Sequence, residues 1–276
     1  MAGIKSILLH VDATTASLVR LEVARQIAAR HEARITALFA ASRDAETLPF
    51  AYSAGAVLAA RESEWSESTY DEARSRLERS VAGDGPPITW CEVVANTIAR
   101  GFVEEAAYAD LLVVGQQIGL PQAGAAPAGF VESMILDSGR PTLIIPPTLR
   151  ASGVGRCVLV AWDGSVPAAR ALTSSLPFLE KADEVHVVSW SAHPKVAPFS
   201  RVDVGGYLRE HHISAQLHRR DATTHVAEEL ASLAASVGAN LVVMGCYGHS
   251  RMGERIFGGA SRAALANMPV PVLMAH

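Results

Sequence analysis

The sequence repeats its own pattern, and this repeat constrains the fold more than any other feature. Asp12 follows an apolar run near the N-terminus and aligns with Asp163, which follows a similar run 151 residues later. The motif ADLLVVG ends at Gly115 and aligns with ANLVVMG, which ends at Gly245, 130 residues later. A repeat of this length is too long for a solenoid unit, so each half is interpreted as a whole domain. The second half is 21 residues shorter between its first and fourth strands, and we assign the missing length to the long charged helix predicted at residues 65–81.

Short apolar runs alternate with helix-favouring segments in both halves. This alternation is typical of βαβ units and predicts an α/β fold with a mainly parallel sheet in each half. The predicted domains are residues 1–148 and 154–276, joined by a linker rich in proline and glycine. Strands are predicted at residues 4–11, 33–40, 88–94, 110–114 and 142–145, and at residues 157–161, 184–190, 214–219, 240–244 and 270–274.

Composition excludes several classes of protein. Hydrophobic residues make up 49% of the chain and charged residues 19%, which favours a packed core over a disordered chain. A net charge of −4 argues against a general nucleic-acid binder with a basic face. Three widely spaced cysteines without a CxxC pair argue against a disulfide scaffold and against a zinc site. No apolar run approaches the roughly 18–20 residues of a membrane span, and no signal-peptide pattern is seen, so we expect a cytoplasmic protein without membrane partners.

One glycine-rich loop carries the features of a ligand site. The sequence GCYGHSRMGERIFGGAS begins at Gly245, after the fourth predicted strand of the second half, where parallel sheets bind ligands. Gly245 and Gly248 tolerate positive φ and allow close approach of a ligand to the backbone. Gly258, Gly259 and Ser261 lead into a predicted helix, whose free N–H groups together with the serine hydroxyl form an anion site. The loop is therefore predicted to bind phosphate groups.

Asp163 is the second candidate for ligand contact. Its carboxylate follows the first strand of the second half and suits an adenine amino group or a ribose hydroxyl. Asp163 is followed by Gly164 and Ser165, so capping of the next helix is an equally good interpretation, and one carboxylate can serve both. His249 in the glycine loop is the histidine that the pattern favours as functional. The histidines without metal-ligand spacing are interpreted as surface residues, namely His211, His212, His218 and His225.

The tandem halves, Asp163, the pattern G-x2-G-x9-G and the terminal PVPVLM strand together resemble the universal stress protein family. The resemblance covers nearly the whole chain. It implies two tandem Rossmann-like domains, each a five-stranded parallel sheet of order 3-2-1-4-5 flanked by helices. It also implies that the domains pair through their last strands and that, in one branch of the family, the fold binds ATP.

Carried over by position, the resemblance implies that the second domain binds ATP, with or without Mg²⁺. Ala161, Asp163 and Val188 would lie by the adenine and the ribose. The implied contacts to the ribose and the phosphates are Gly245, Gly248, His249, Gly258, Gly259 and Ser261. This sequence departs from the family pattern at Gly259, where ATP-binding members have serine or threonine. The departure removes one neutral hydroxyl, which contributes about 1 kcal/mol.

The first half lacks the phosphate loop. Ile118, Ala128 and Val131 stand where the second half has Gly248, Gly258 and Ser261. A β-branched isoleucine disfavours positive φ, so the first domain is predicted to bind no nucleotide. Asp12 is interpreted there as a helix cap.

The sequence thus favours a stress-response regulatory protein that binds ATP in its second domain. Catalytic residues are not predicted, and at most slow ATP hydrolysis is expected, because neither a general base nor an arginine finger is apparent. The alternative is an interaction or assembly protein of the same fold that binds no nucleotide. An enzyme of the wider adenine-nucleotide α-hydrolase-like group is disfavoured, because no adenylation motif is present. Edge strands at residues 142–145 and 270–274 are expected to pair within one chain, while a homodimer and an unidentified protein partner stay open.

Overall fold

The computed structural model describes residues 3–42, 67–81, 85–117, 125–150, 153–190, 203–221, 223–246 and 259–276. It divides into two compact units, Met1–Ala151 and Ser152–His276.

The first unit is a five-stranded sheet with helices between the strands. Its elements are β1 (Ser6–Val11), α1 (Ala16–His31), β2 (Arg34–Ser42), α2 (Glu67–Val81), β3 (Ile88–Ala95), α3 (Ile98–Ala106), β4 (Leu111–Gly115), α4 (Phe130–Asp137) and β5 (Thr142–Ile145). The strand order is β3-β2-β1-β4-β5, and each neighbouring pair is parallel.

The second unit has the same architecture. Its elements are β6 (Cys157–Ala161), α5 (Val166–Leu179), β7 (Glu184–Trp190), α6 (Val204–Glu210), β8 (Gln216–Arg220), α7 (Val226–Val237), β9 (Leu241–Gly245), α8 (Gly259–Asn267) and β10 (Val272–Ala275). The order β8-β7-β6-β9-β10 is again parallel throughout. Both units therefore have the strand order 3-2-1-4-5, which confirms the predicted fold class.

The predicted strands all lie within two residues of the observed ones. Part of the difference in length between the halves lies between the second and third strands, as expected. The helix there is shortened rather than lost, because α6 has seven residues where α2 has fifteen.

The central strands are buried except at their end residues, and this burial explains their apolar sequences. Leu111 to Val114 in β4 and Leu241 to Val243 in β9 are at most 1% exposed. A parallel strand covered by helices on both faces reads as a continuous apolar run rather than an alternating one. None of the helices in the described ranges combines the length and the apolar character that crossing a membrane requires.

Candidate functional site

Three strands come together at the carboxyl edge of the second sheet. Ala161, the last residue of β6, pairs with Val188 of β7 and with Met244 of β9. Gly245 follows Met244 and ends β9. The register therefore brings two of the predicted adenine and ribose contacts beside the first glycine of the loop, at the edge where parallel sheets bind ligands.

Val188 is fully buried within β7, and its carbonyl accepts a hydrogen bond from the N–H of Trp162 at 2.8 Å. This bond holds the chain beyond β6 against the end of β7. The predicted contact between Val188 and an adenine ring stays a prediction, since the side chain has no exposed surface in this structure.

Asp163 lies in the turn that connects β6 to α5. Its Oδ1 accepts a hydrogen bond from the N–H of Ser165 at 2.9 Å, and the intervening Gly164 has a φ of 74°. Ser165 is the residue that caps α5, because its Oγ accepts a hydrogen bond from the N–H of Ala168 at 3.2 Å. The carboxylate of Asp163 thus shapes the turn, and its side chain is exposed at the edge of the sheet.

Gly245 is required for a reason that the sequence did not indicate. Its φ is not positive, in contrast to that of Gly164. A Cβ at position 245 would lie 2.3 Å from the backbone nitrogen of Ala168 and 2.5 Å from the carbonyl carbon of Pro167. The first turn of α5 therefore packs directly on the end of β9, and only glycine leaves room for it.

The remaining predicted phosphate contacts divide into two groups. Gly248, His249 and Gly258 lie outside the described residues. Gly259 is the first residue of α8, and Ser261, which is 6% exposed, is the third. Because β9 and β10 are parallel neighbours, the helix between them starts toward the carboxyl edge of the sheet. The first N–H groups of a helix have no partner within the helix itself, and such groups suit an anion.

The corresponding edge of the first sheet contains a buried ion pair. Arg20 of α1 lies with its Nη2 2.9 Å from Oδ2 of Asp12, and both side chains are at most 5% exposed. The Nε of Arg20 donates to the carbonyl of His10 at 3.0 Å, and its Nη2 donates to Oγ of Ser17 at 2.7 Å. Oδ1 of Asp12 also accepts from the N–H of Thr14 at 3.0 Å, as Asp163 does from Ser165. Asp12 thus shapes its turn and balances a buried arginine as well.

Burial and charge perturb both titratable groups beside Arg20. Burial lowers the pKa of His10 to about 3, and the positive charge of Arg20 acts in the same direction. Burial by itself would raise the pKa of Asp12, but Arg20 and hydrogen bonds from Thr14 and Ser17 outweigh it and hold the pKa at about 2. At neutral pH the site therefore contains a neutral imidazole and a full Asp12–Arg20 ion pair.

Arg20 occupies space that is lined by small residues in the second unit. A Cβ on Gly115, the counterpart of Gly245, would lie 2.6 Å from Nη1 of Arg20. At the matching positions in the second unit, Ala161, Ala168 and Ala171 replace His10, Ser17 and Arg20. The side chain of Arg20 thus lies against Gly115 in the first unit, whereas the backbone of α5 itself lies against Gly245 in the second.

The described part of the loop after β4 is held by a glutamine side chain. Gln117 donates from Nε2 to the carbonyls of Ala126 at 3.0 Å and Pro127 at 2.6 Å. Gly129, with a φ of 79°, precedes α4, and Val131 on that helix is 3% exposed. Ile118 lies outside the described residues. The predicted absence of nucleotide from this unit stays a prediction, and the buried ion pair now supports it more strongly than the loop does.

Arg20 was missed because an arginine on the apolar face of a helix is unexpected. It shares the buried face of α1 with Ala24, Ile27 and His31. The comparison of the two halves contained the signal, since Arg20 aligns with Ala171 on the buried face of α5. A charged residue that replaces a buried alanine in an internal repeat indicates a local partner of opposite charge.

Residues 156–276 match the model of the universal stress protein family. No curated protein matches the sequence.

Solved structures extend the similarity to the first unit. A universal stress protein from Archaeoglobus fulgidus DSM 4304 is similar over 98% of this chain and 97% of its own length, with 19% identity and a TM-score of 0.71. A protein from Pseudomonas aeruginosa UCBPP-PA14, provisionally named as a universal stress protein, covers 99% of this chain and 93% of its own at 17% identity and a TM-score of 0.64. A functionally unknown protein from Pseudomonas aeruginosa PAO1 covers 99% and 92% at 17% identity and a TM-score of 0.62. At sequence identities of 17–19%, these similarities show a shared fold and nothing about function.

Proposed function

Residues 156–276 match the model of the universal stress protein family, and on that premise we propose that the second unit binds ATP at the carboxyl edge of its sheet. The adenine and ribose lie by Ala161, Asp163 and Val188 in this proposal. The implied phosphate contacts are those of the glycine loop and the start of α8, namely Gly245, Gly248, His249, Gly258, Gly259 and Ser261.

The observation that carries the proposal is the contrast between the two sheet edges. In the first unit, His10, Ser17 and Arg20 fill the space around the aspartate that follows the first strand. In the second unit that aspartate, Asp163, is exposed and the matching residues are alanines. An edge with small side chains, an exposed carboxylate and a helix N-terminus suits a polar ligand that carries phosphates. We infer that the second unit alone binds nucleotide.

Gly259 sets the expected affinity. Family members that bind ATP have a hydroxyl at this position, and its loss weakens binding by about 1 kcal/mol, or roughly fivefold. The backbone N–H of Gly259 remains, since glycine begins α8. The substitution Gly259→Ser is expected to restore this contact and to raise the affinity for ATP without changing that for adenosine.

The proposed role is regulatory rather than metabolic. ATP, with or without Mg²⁺, would order the glycine loop and so change the surface that a protein partner meets. ATP can shift the equilibrium between the ordered and the unordered loop only as far as its affinities for these two states differ. Hydrolysis is expected to be slow at most. The cytoplasmic location, the homodimer and the protein partner stay predictions.

Titration calorimetry of the purified chain with ATP and Mg²⁺ tests the nucleotide proposal. Binding of one ATP per chain is expected, weakened about tenfold or more by Gly248→Ile, which copies the first half, and by Asp163→Asn. Asp137→Asn is the matched control, since Asp137 is an exposed aspartate of the first unit. Titration with adenosine, which lacks the phosphates, measures the contribution of the phosphates. Titration with GTP, which carries another base, measures that of the adenine.

Two results would reject the proposal. One is the absence of heat with ATP together with no nucleotide released from denatured protein. The other is ATP binding that neither variant weakens. The first result would favour the interaction or assembly protein of the same fold, and a search for protein partners would follow.

A further inference from the structure

Four polar side chains lie together at the amino edge of the second sheet. Cys157 begins β6, and Glu184, its partner in the strand register, begins β7. His186 lies two residues further along β7 and so projects on the same face as Glu184. His218 of β8 is hydrogen-bonded to His186. The length of β6 separates Cys157 from Ala161 by about 13 Å, so this cluster is distinct from the proposed nucleotide site.

The geometry of this Cys157 cluster is that of a metal-binding group. The sulfur of Cys157, a carboxylate oxygen of Glu184 and a ring nitrogen of His186 all lie within 4.8 Å of one another. The Nε2 of His186 is 3.5 Å from Oε2 of Glu184. Zinc-to-ligand distances of about 2.0–2.3 Å in a tetrahedral site place the ligand atoms about 3.3–3.7 Å apart. The nitrogen and oxygen already match this spacing, and the thiol is at most about 1 Å too far from them.

An unsatisfied nitrogen points to a missing ligand. His186 is 3% exposed, and its buried Nε2 has no hydrogen-bond partner among the residues that the structure describes. A buried polar atom without a partner costs about 1–3 kcal/mol and is uncommon in native proteins. The other ring nitrogen, Nδ1, is 3.0 Å from Nε2 of His218. That bond orients the ring and leaves Nε2 on the side of Glu184.

We propose that Cys157, Glu184 and His186 bind one Zn²⁺ ion. A thiolate, an imidazole and a carboxylate form a ligand set that zinc accepts, and the sulfur disfavours Mg²⁺ and Ca²⁺. Cys157 and Glu184 together supply two negative charges, which balance the charge of the ion. The thiol of Cys157 releases its proton to solvent on binding and gives up its hydrogen bond to the carbonyl of Val237, which spans 3.4 Å. Three protein ligands leave a fourth position for water.

His218 acts as a positioning residue in this proposal. Metal-binding histidines usually donate their second ring N–H to a neighbouring acceptor, which fixes the tautomer and the ring orientation. His218 is half-buried and provides that acceptor. Glu184 is exposed, so an ion can reach the cluster from solvent.

The spacing of the cysteines argued against a zinc site, because the ligands proposed here come from neighbouring strands and leave no local motif in the sequence. Metal-ligand motifs place two ligands a few residues apart in one turn or helix. Here Cys157 and Glu184 become neighbours only through the parallel register of β6 and β7. His218 was interpreted from the sequence as a surface histidine, and its partner His186 was not singled out.

Zinc titration calorimetry of the untagged full chain, stripped of metal and free of ATP, tests the proposal. One ion per chain is expected. Cys157→Ser, Glu184→Gln and His186→Gln each remove a direct ligand, and each is expected to weaken affinity at least as much as loss of an outer partner does, by about 10- to 100-fold or more. Cys91→Ser and Glu180→Gln serve as matched controls and are expected to bind as the parent does. Because Glu184 is exposed, Glu184→Gln is the variant least able to disturb folding, and thermal unfolding of each metal-free variant checks this.

Cobalt substitution gives a second readout that is specific to the ligands. Co²⁺ bound to the parent and to Cys91→Ser is expected to show a thiolate-to-metal charge-transfer band that Cys157→Ser lacks. His218→Gln is expected to keep that band and to weaken binding. Absence of zinc binding, binding unchanged in all three ligand variants, or a cobalt complex without the sulfur band would each overturn the proposal.

Discussion

Arg20 and Asp12 form an ion pair that is sealed inside the first unit, with 2.9 Å between Nη2 and Oδ2. In the second unit, Ala171 and Asp163 occupy the same two positions. The arginine therefore aligns with a buried alanine, which is 1% exposed, on the helix that follows Asp163. Three replacements accompany the change from a buried, paired aspartate to an exposed one: the second unit has Ala161, Ala168 and Ala171 where the first has His10, Ser17 and Arg20.

Removal of Arg20 is expected to destabilise the first unit severely. Arg20→Ala leaves the carboxylate of Asp12 buried and unpaired, and loss of one partner of a buried pair costs about 3–5 kcal/mol. The measurement is the free energy of unfolding in urea at pH 7. Arg100 offers a matched control, because its Nε lies 2.9 Å from Oε1 of Glu104, while both side chains are more than half exposed.

Arg100→Ala is expected to change the unfolding free energy by about 0–1 kcal/mol, as exposed pairs do. The double variant Arg20→Leu/Asp12→Asn is expected to recover much of the stability lost in Arg20→Ala, since it leaves no buried charge. Equal losses for Arg20→Ala and Arg100→Ala would contradict the structural role assigned to the buried pair.

Stability of the first unit is expected to fall as the pH is lowered below about 6.5. The folded pKa of His10 is about 3 against an ordinary value of 6.5, so between these values the unfolded chain binds a proton that the folded chain excludes. Asp12 acts in the same direction between its ordinary value of 3.8 and about 2. One such proton destabilises the folded state by about 1.4 kcal/mol for each pH unit.

The substitution His10→Gln tests the contribution of the histidine. Unfolding free energies measured from pH 7 to pH 4 are expected to decline less steeply in this variant than in the parent. His225→Gln, which removes an exposed histidine of the second unit, is expected to keep the parent's slope. If His10→Gln and His225→Gln give the same slope, the buried imidazole is not the group that binds the proton.

The sheets could be predicted because a strand that is buried on both faces has a continuous apolar sequence. The run from Leu111 to Val114 has no polar residue, and it forms a central strand. The burial of Arg20 could not be predicted from its own segment, because the apolar periodicity of α1 predicts only apolar residues on the buried face. The ion pair with Asp12 explains the buried position of Arg20. Asp12 lies eight residues earlier in the chain and approaches Arg20 only in the folded turn.

Gly245 shows the same limit at the proposed nucleotide site. The sequence identified the residue correctly as part of a strand end but attributed it to backbone flexibility. The structure shows instead that α5 packs against it at Ala168, a contact between residues 77 positions apart. Local patterns identify which residues lie at the end of a strand, whereas the packing of another helix on that end depends on the tertiary fold.

Cys246 is expected to resist alkylation in the folded chain. Its side chain is 1% exposed, its thiol donates to the carbonyl of Ala275 at 3.3 Å, and burial raises its pKa to about 12. The thiolate, which is the reactive form, is therefore about a thousandfold scarcer than at the ordinary pKa of 9. Peptide mapping after iodoacetamide treatment is expected to show modified Cys91 and unmodified Cys246. In urea the two cysteines are expected to react alike, and equal rates in the native chain would contradict the prediction.

Transfer of the arginine into the second unit provides the sharpest test of the contrast between the two sheets. Ala171 is 1% exposed on α5 and aligns with Arg20. Ala171→Arg, combined with Ala168→Ser to supply the hydroxyl that Ser17 provides, is expected to pair with Asp163 and to occupy the proposed nucleotide site. We expect ATP binding to weaken about tenfold or more, by calorimetry, in a variant whose thermal unfolding remains cooperative.

The matched control places the same charge on the opposite, exposed side of α5. Ala169→Arg adds an arginine on the exposed side of α5. Attraction between a cation and the phosphates makes this variant bind ATP as well as or slightly better than the parent. The two arginines therefore act in opposite directions only if position 171 faces the nucleotide. Improved binding by both variants would mean that the ligand does not use the space beside Asp163, and the site would then have to be sought along the loop after β9 alone.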